Sequence, residues 1–134
     1  SDRAIADYTK AIELFPQFVH ALSNLCFEYE KARQYDRAMA NCNKAIEYDP
    51  KFANGYTNRG VVHVSRGQLN LAFADFNKVV ELKPKDANAY TNRGVVYFQM
   101  GDRNRAIADF RTALGFDPNH KDARGNLQKL GVQP

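Results

Sequence analysis

Four prolines set a regular period along this chain. Pro16, Pro50, Pro84 and Pro118 lie 34 residues apart, and no other proline falls between them. A fixed period of roughly 20 to 50 residues is typical of stacked-repeat proteins, in which each unit buries its apolar face against the next unit. The sequence therefore predicts a repeat protein.

The segments between the prolines repeat at the same spacing. Residues 53–62 (ANGYTNRGVV) and 87–96 (ANAYTNRGVV) differ at a single position, and the same shift places Phe76 on Phe110. Within a unit, one stripe of a helix with about 3.6 residues per turn is formed by Ala106, Ile107, Phe110, Ala113 and Leu114. Each unit is therefore predicted to be a helix, a tight turn and a second helix.

The pattern resembles the tetratricopeptide repeat (TPR), in which aromatic, Leu-Gly, Tyr, Ala, aromatic and Pro positions recur in that order. The third full unit carries it with Arg in the Leu position: Tyr90, Arg93, Gly94, Tyr97, Ala106, Phe110 and Pro118. The second unit has His in the Tyr position: Tyr56, Arg59, Gly60, His63, Ala72, Phe76 and Pro84. A looser first unit has Leu22, Leu25, Cys26, Tyr29, Ala38, Cys42 and Pro50.

The resemblance implies an all-α fold, a solenoid of TPR helical hairpins wound into a right-handed superhelix of about eight helices. We expect one domain over residues 1–134. Its expected parts are a half repeat (1–18), three full repeats (19–52, 53–86 and 87–120) and a capping helix (121–134). The half repeat matches a second helix from about Asp2 to Leu14, so the chain is expected to start in mid-repeat.

Three residues are predicted to shape the hairpin of the third full repeat. Gly94, expected opposite Ala106, would let the two helices approach closely, and this gain would offset the cost of a glycine inside a helix. Gly101 is a predicted helix stop, and Asp102 is a predicted N-cap of the next helix.

Composition excludes several classes of protein. No run approaches the roughly 18 apolar residues of a membrane span, so no membrane contact is predicted, and no segment resembles a signal peptide. The expected location is cytoplasmic, although the chain is expected to be a fragment whose targeting signals need not be visible. The formal net charge is +4, but the basic residues near the C-terminus alternate with aspartates. This interleaving argues against a continuous stripe for nucleic acid and favours a solvated face.

The potentially reactive residues favour structural roles. Cys26 and Cys42 fall on the two helices of one hairpin. We expect reduced, buried thiols; the alternative is a disulfide that pins the hairpin and implies an oxidising compartment. His63 takes a position that Tyr holds in other repeats, which favours a packed core histidine over a catalytic base. The sequence shows no metal-ligand spacing, cofactor motif or paired nucleophile and base. We therefore predict no enzymatic activity, no metal site and no cofactor.

The function is predicted from the face that the resemblance assigns to ligands. In the TPR family the first helix of each hairpin lines a concave groove that binds peptides, and in this chain asparagines recur there at the repeat period. An amide has donors and acceptors suited to an extended peptide backbone. The alternative is that these asparagines are bystanders. The predicted peptide-binding residues are Asn24, Asn58, Asn92, Asn126, Thr57, Thr91, Asn54, Asn88, Phe27, Val61, Val95, Val64 and Phe98.

The predicted partner is a protein or peptide segment bound in a nearly uncharged groove. TPR domains that hold the C-terminal carboxylate of heat-shock chaperones use Lys and Arg beside Asn. Here the corresponding places hold Ser23, Asn88 and Asn92, so that clamp is not expected. A second hypothesis is an architectural module that self-associates through its N-terminal edge as a homo-oligomer. The residues predicted for that contact are Ile5, Tyr8 and Ile12.

Overall fold

A computed structural model describes residues 2–14 and 18–134, except for the side chains of residues 8, 9 and 11–14. The described residues form eight α-helices and no strand. This confirms the all-helical prediction. The helices are α1 (Asp2–Leu14), α2 (Val19–Lys31), α3 (Tyr35–Tyr48), α4 (Ala53–Ser65), α5 (Leu69–Leu82), α6 (Ala87–Gln99), α7 (Arg103–Phe116) and α8 (Lys121–Lys129).

Tertiary contacts divide the chain into two compact units, Ser1–Gln68 and Leu69–Pro134. Unit 1 contains α1 to α4, and unit 2 contains α5 to α8. None of the helices in the described residues is long and apolar enough to cross a lipid bilayer.

Unit 1 is built on the hairpin of α2 and α3. Helix α1 packs on α2, and α4 packs on both α2 and α3. The core cluster of fully buried residues consists of Cys26, Ala38, Cys42 and Val62. Small residues at the α2–α3 contact let the two helices lie close together, as the repeat pattern predicts.

A disulfide joins the two helices of this hairpin. Cys26 on α2 and Cys42 on α3 are bonded, their Cα atoms are 5.4 Å apart, and neither residue is exposed. The expectation of reduced thiols is therefore wrong, and the alternative of a pinned hairpin is correct. The two cysteines are 16 residues apart in the sequence, and whether their side chains meet across the hairpin is not resolved by the sequence pattern alone. The expected cytoplasmic location loses the support that reduced thiols would give it.

Unit 2 is built on the hairpin of α6 and α7, with α5 packed on α6 and α8 on α7. Its core cluster consists of Ala87, Ala106, Phe110, Ala113, Leu114, Ala123 and Leu127. The chain after α8 folds back, since Val132 packs against this cluster. Arg111 Nη2 also donates to the backbone oxygen of Gln133 at 3.1 Å. Helix α8 and the segment that follows it are thereby joined to the core of unit 2.

The ends of the helices follow the predicted signals. Gly101 has a φ of 89°, and the side chain of Asp102 accepts a hydrogen bond from the backbone N–H of Arg105 at 3.1 Å. Helices α3 and α7 end at extended residues, Asp49 and Asp117, each directly before a proline. A residue before proline is pushed out of the helical region, so the period of prolines becomes a period of helix ends.

Gly94 allows a close contact, but its nearest neighbours differ from the expected Ala106. A Cβ at this position would lie 2.7 Å from Cε1 of Phe110 and 3.2 Å from Cβ of Asp109. Phe110 is 2% exposed and its ring lies directly over the glycine. The gain that offsets the glycine is therefore the burial of an aromatic ring.

An ion pair explains why arginine replaces leucine in the third full repeat. Arg93 donates from Nε and Nη2 to the two carboxylate oxygens of Asp109, both at 2.8 Å, and from Nη1 to Asn77 Oδ1 at 2.9 Å. The side chains of Arg93 and Asp109 are 18% and 7% exposed. Hydrogen bonding to Asp109 raises the pKa of Arg93 although burial opposes this, so the guanidinium stays charged.

Candidate functional site

The predicted ligand face of unit 1 is formed by α2 and α4. Asn24 and Asn54 are exposed, and Thr57 and Val64 are half-buried. Phe27 is 42% exposed and Val61 is 37% exposed, so the apolar part of this face is open to solvent. This face of unit 1 therefore presents both polar and apolar side chains, and its use by a ligand stays a prediction.

Asn58 has a structural role within that face. Its Nδ2 donates to the backbone oxygen of Ser23 at 3.0 Å and to the hydroxyl of Ser23 at 2.7 Å. Ser23 is 2% exposed, so the asparagine satisfies a buried hydroxyl and ties α4 to α2. Both amide protons of Asn58 can be used in this way, which leaves mainly its oxygen for a ligand.

The cation beside Phe27 is also engaged. Lys31 Nζ lies 4.6 Å from the centre of the Phe27 ring and 3.2 Å from Glu28 Oε1. Further along the same face, Ser65 Oγ donates to Glu30 Oε1 at 2.8 Å. Charged groups on this face of unit 1 are therefore largely engaged with neighbouring side chains.

Unit 2 contains an open cleft between α6 and α8, the α6–α8 cleft, with a volume of about 220 Å³. Asn92 and Val95 line it from α6, and Asn126 lines it from α8. In the part of unit 2 that the structure describes, neither Asn92 nor Asn126 makes a side-chain hydrogen bond. Both amides are half-buried and in contact with the cleft, unlike Asn58.

A second cavity of about 180 Å³, the apolar pocket, adjoins the cleft. It shares Val95, Asn126 and Lys129 with the α6–α8 cleft and is lined in addition by Phe98, Gln99, Phe110 and Leu130. Phe98 is 50% exposed at its edge. The two cavities together present amides, an ammonium group and an apolar surface within a few residues of one another.

Comparisons with known proteins agree with this architecture. Profiles of the tetratricopeptide repeat match residues 20–52, 41–74 and 87–120, and a further TPR profile matches residues 62–101. Together they cover all three hairpins that the period of prolines delimits. The chain belongs to the tetratricopeptide repeat family.

Solved structures similar to this TPR chain include the first TPR of Spaghetti (RPAP3) bound to the HSP90 peptide SRMEEVD. It is 27% identical with a TM-score of 0.79, and the match covers 86% of this chain and 91% of that one. The Arabidopsis OM64 TPR domain is 25% identical with a TM-score of 0.79 and coverages of 84% and 93%. A thermophilic TPR protein in Thermus thermophilus shares the fold at 18% identity, with a TM-score of 0.84 and coverages of 93% and 70%. A search of curated protein sequences found no match.

Three charged residues of the α6–α8 cleft were not among the predicted site residues. Lys121, Asp122 and Lys129 line it from the TPR capping helix α8. The expectation of a nearly uncharged groove is therefore wrong for unit 2. The repeat register could have predicted this charge, because Lys129 takes the place that Val61 and Val95 hold in the two preceding repeats.

Thr91 and Asn88 both make hydrogen bonds within unit 2. Thr91 also lines the α6–α8 cleft, but it is 4% exposed and its hydroxyl donates to the backbone oxygen of Ala87 at 2.9 Å. Asn88 is exposed, but its Oδ1 lies 2.6 Å from Nε2 of His120. The other ring nitrogen of His120 accepts from the backbone N–H of Ala123 at 3.2 Å and caps α8. Asn88 therefore helps to hold the start of α8.

Two of the three residues that stand where a carboxylate clamp would have cations make hydrogen bonds within the fold. Ser23 accepts the hydrogen bonds of Asn58, and Asn88 contacts His120. Of Ser23, Asn88 and Asn92, Asn92 is the residue that lines the α6–α8 cleft. Positive charge reaches the cleft from α8 instead.

Self-association through the N-terminal edge stays a prediction. Ile5 is half-buried and makes contacts within the fold. Tyr8 and Ile12 lie on α1, but their side chains are outside the described residues.

His63, which the sequence assigns to the core rather than to catalysis, is packed inside the fold. His63 is 7% exposed, and its Nδ1 lies 2.9 Å from Gln68 Oε1, as expected for a packed histidine. Among the side chains that the structure describes, no group of three or more His, Cys, Asp or Glu is arranged to hold a metal ion.

Proposed function

We propose that this TPR protein is a non-catalytic scaffold that binds an extended segment of a partner protein on the first helices of its repeats, with the α6–α8 cleft as the main site. The observation that carries this proposal is the pair of unpartnered amides, Asn92 and Asn126, on the two walls of that cleft. They sit beside the apolar surface of Val95 and Phe98.

The chemistry of the cleft suits a peptide backbone. Each carboxamide offers two donors and an acceptor oxygen, and an extended peptide presents N–H and C=O groups at regular intervals. A hydrogen bond of this kind contributes about 0.5 to 1.5 kcal/mol, so two amides provide useful affinity without dictating the sequence of the ligand. Side-chain selectivity then depends on the apolar pocket.

A structural relative supports the proposal. The first TPR of Spaghetti, 27% identical over most of both chains, is bound to a peptide of HSP90. In our proposal this chain, like that relative, binds a peptide, but not necessarily the same peptide. Because Ser23 and Asn88 stand at two of the expected cation positions, the identity of the partner does not follow from the relative.

The asparagine ladder is divided between two roles in this proposal. Asn58 stabilises the contact of α2 and α4, which makes it a structural bystander with respect to a ligand. Asn92 and Asn126 are the ligand-binding members. Asn24 is exposed on α2 of unit 1 and is assigned no role in the cleft.

Panning a random library of linear peptides on the full chain tests this function. A selected peptide should bind the unsubstituted protein and lose about tenfold in affinity to the double variant Asn92→Ala with Asn126→Ala, as expected for two hydrogen bonds. The matched control is Asn70→Ala with Asn104→Ala, because these two asparagines are exposed on the second helices α5 and α7.

The control variant should keep the full affinity. An equal affinity of all three proteins for every selected peptide, or an equal loss in both double variants, would overturn the assignment of the cleft. A library that yields no specific peptide would speak against peptide binding altogether.

A further inference from the structure

We propose that unit 1 carries a second binding site, with no lining residue in common with the α6–α8 cleft, and that this site takes a phosphomonoester group. The site is an open cavity of about 490 Å³ at the turn between α2 and α3, called the arginine cavity below. Arg66, directly after α4, also contributes to it, so two successive repeats form the lining. The lining residues are Arg33, Gln34, Tyr35, Asp36, Arg37 and Arg66.

Positive charge dominates the lining of the arginine cavity. Three arginines and one aspartate give the lining a net charge of +2. A guanidinium is planar and always charged, and it binds phosphate oxygens through pairs of parallel N–H groups. A phosphomonoester is close to a dianion at about pH 7 and has three oxygens that accept hydrogen bonds. The charge and the donors of the lining therefore suit this class of ligand.

Arg33 has a backbone conformation that favours glycine. Its φ is 61°, and it is the one non-glycine residue with a positive φ among those that the structure describes. Gly67 and Gly101 hold the same position in the next two repeats, with φ values of 72° and 89°. A residue with a Cβ is disfavoured in this left-handed region, so arginine here goes against the local preference. Residues that persist against such a preference cluster at binding and active sites.

The fold does not use the charge of Arg33. Its side chain is exposed and forms no hydrogen bond or ion pair with any described residue. Lys31, two positions earlier, is by contrast paired with Glu28 and lies over the Phe27 ring. The guanidinium of Arg33 is therefore available to an anion from outside the chain.

Arg37 is already held in position by its neighbours. Its guanidinium carbon lies 5.9 Å from the centre of the Tyr29 ring, and its Nη1 donates to Gln34 Oε1 at 3.0 Å. The hydrogen bond uses one of the guanidinium donors, and the others stay available. A side chain that is held in this way loses less conformational freedom when it binds a ligand.

The carboxylate of the lining is only weakly engaged. Asp36 Oδ1 lies 3.4 Å from Arg66 Nη1, and the Asp36 side chain is 97% exposed. An ion pair of this length that is open to water contributes little stability. A phosphate group can therefore replace Asp36 at Arg66 while the aspartate turns to solvent. Asp36 acts as a competitor of the ligand, and its removal should strengthen binding.

The cluster of three arginines is not a consequence of the repeat pattern. Leu71 takes the place of Arg37 in the second full repeat. In the third full repeat Arg105 takes that place, and its Nε lies 3.5 Å from a carboxylate oxygen of Asp102. The charge of the arginine cavity therefore belongs to the turn of α2 and α3 and to the neighbouring end of α4.

The test is an NMR titration of the full chain with phenyl phosphate, with dimethyl phosphate and acetate as comparison anions. Phenyl phosphate should shift the backbone amide signals of residues 33–37 and 66 in a saturable manner. It should bind about tenfold more tightly than either comparison anion, because each of these carries a single charge.

A phosphorylated peptide separates two sources of the same group. The probe is acetyl-Ala-phosphoserine-Ala-amide, and its unphosphorylated form, which should not bind, is the control. Tighter binding of this peptide than of phenyl phosphate would assign the arginine cavity to a phosphorylated segment of a partner protein. Tighter binding of phenyl phosphate would assign it to a small phosphate ester. Both results support a phosphomonoester site.

Charge variants separate the cavity from general electrostatic attraction. Arg33→Gly with Arg37→Gln keeps the turn, because glycine suits the φ of residue 33, and should weaken binding of phenyl phosphate at least about tenfold. The control Lys83→Gln with Lys85→Gln lowers the net charge equally, at two exposed lysines outside the cavity. It should change the affinity by less than about twofold, because water and salt screen exposed charges that do not contact the ligand.

Asp36→Asn should act in the opposite direction. It removes the carboxylate of the lining and frees Arg66, so phenyl phosphate should bind about threefold more tightly. Unchanged or weaker binding in this variant would show that the anion does not reach Arg66 and would overturn the assignment of the cavity.

Other outcomes overturn the inference in distinguishable ways. An equal loss in the cavity variant and in the lysine control would show unspecific attraction. Equal affinities for phenyl phosphate, dimethyl phosphate and acetate would show an unselective anion site. Tighter binding of a short oligothymidylate at the same signals would point to nucleic acid. The lack of any saturable shift would contradict the inference and leave the proposed peptide binding untouched, because the arginine cavity and the α6–α8 cleft share no lining residue.

Discussion

Asn58 on α4 donates two hydrogen bonds to Ser23 on α2, to the backbone oxygen at 3.0 Å and to the hydroxyl at 2.7 Å. This contact ties together the first helices of two successive repeats. It also separates Asn58 from Asn92 and Asn126, which occupy the same position in later repeats. One recurring residue thus serves packing in unit 1 and faces an open cleft in unit 2.

Replacing Asn58 by alanine should lower the free energy of unfolding by about 1 to 3 kcal/mol, because the buried hydroxyl of Ser23 loses its partner. The sequence alone predicts almost no loss, since it assigns the asparagine to an exposed ligand face. Urea unfolding of Asn58→Ala and of the control Asn24→Ala measures this difference. Equal stability of the two variants would contradict the structural role of Asn58.

Removing the charge of Arg93 should destabilise the protein through Asp109. Arg93→Met leaves a carboxylate that is 7% exposed without its ion pair, and we expect a loss of about 2 to 4 kcal/mol after allowing for partial solvent screening. The double variant Arg93→Leu with Asp109→Asn imitates Leu25 and Asn41 at the same positions of the first full repeat. It should recover most of that loss in thermal unfolding. A double variant as unstable as Arg93→Met would show that the ion pair itself is indispensable.

The sequence predicts the positions of the helices but not the hydrogen bonds between their side chains. The period of 34 residues and the proline positions predict where α1 to α8 begin and end, because helix stops and apolar stripes are local properties. The bond of Asn58 to Ser23 joins residues 35 positions apart, and its existence depends on how two helices meet. The repeat pattern gives that register only to within a turn.

The same limit applies to the disulfide and the cleft. The sequence places Cys26 and Cys42 on facing helices, but a small buried cysteine and a bonded one have the same sequence pattern. Lys121 and Lys129 belong to a set of basic residues that alternate with aspartates along the sequence, and this pattern favours a solvated face. Their position beside Asn126 follows from the packing of α8, which a pattern of charges does not contain.

The disulfide should contribute substantially to the stability of unit 1. Closing a loop with a separation of 16 residues is expected to add about 3 kcal/mol in the chain-entropy account. Cys26→Ser with Cys42→Ser should therefore unfold at a markedly lower urea concentration than the oxidised protein. Intact mass under denaturing conditions should be two hydrogens below that of the reduced chain. A reduced mass in protein kept from reductant would contradict the bond.

Two glycines of unit 2 should respond to alanine in opposite directions. Gly94→Ala would place a Cβ 2.7 Å from the buried Phe110 ring, so we expect a loss of about 1 to 3 kcal/mol from overpacking. Gly115 on α7 has no atom within 4 Å of such a Cβ, and alanine there should stabilise the helix by up to about 1 kcal/mol. Thermal unfolding of the two variants measures both signs. A stabilised Gly94→Ala would refute the tight contact with Phe110.

The α6–α8 cleft is the proposed binding site for a peptide, and cross-linking tests it directly. A peptide selected by panning and carrying a photoreactive benzoylphenylalanine should, after irradiation, attach to residues of α6 and α8 that line the cleft and the apolar pocket. Mass spectrometry of the digested product locates the attachment. We expect adducts on Val95, Phe98, Asn126 or Leu130, and their loss in Asn92→Ala with Asn126→Ala. Adducts confined to the second helices α5 and α7 would contradict the central claim.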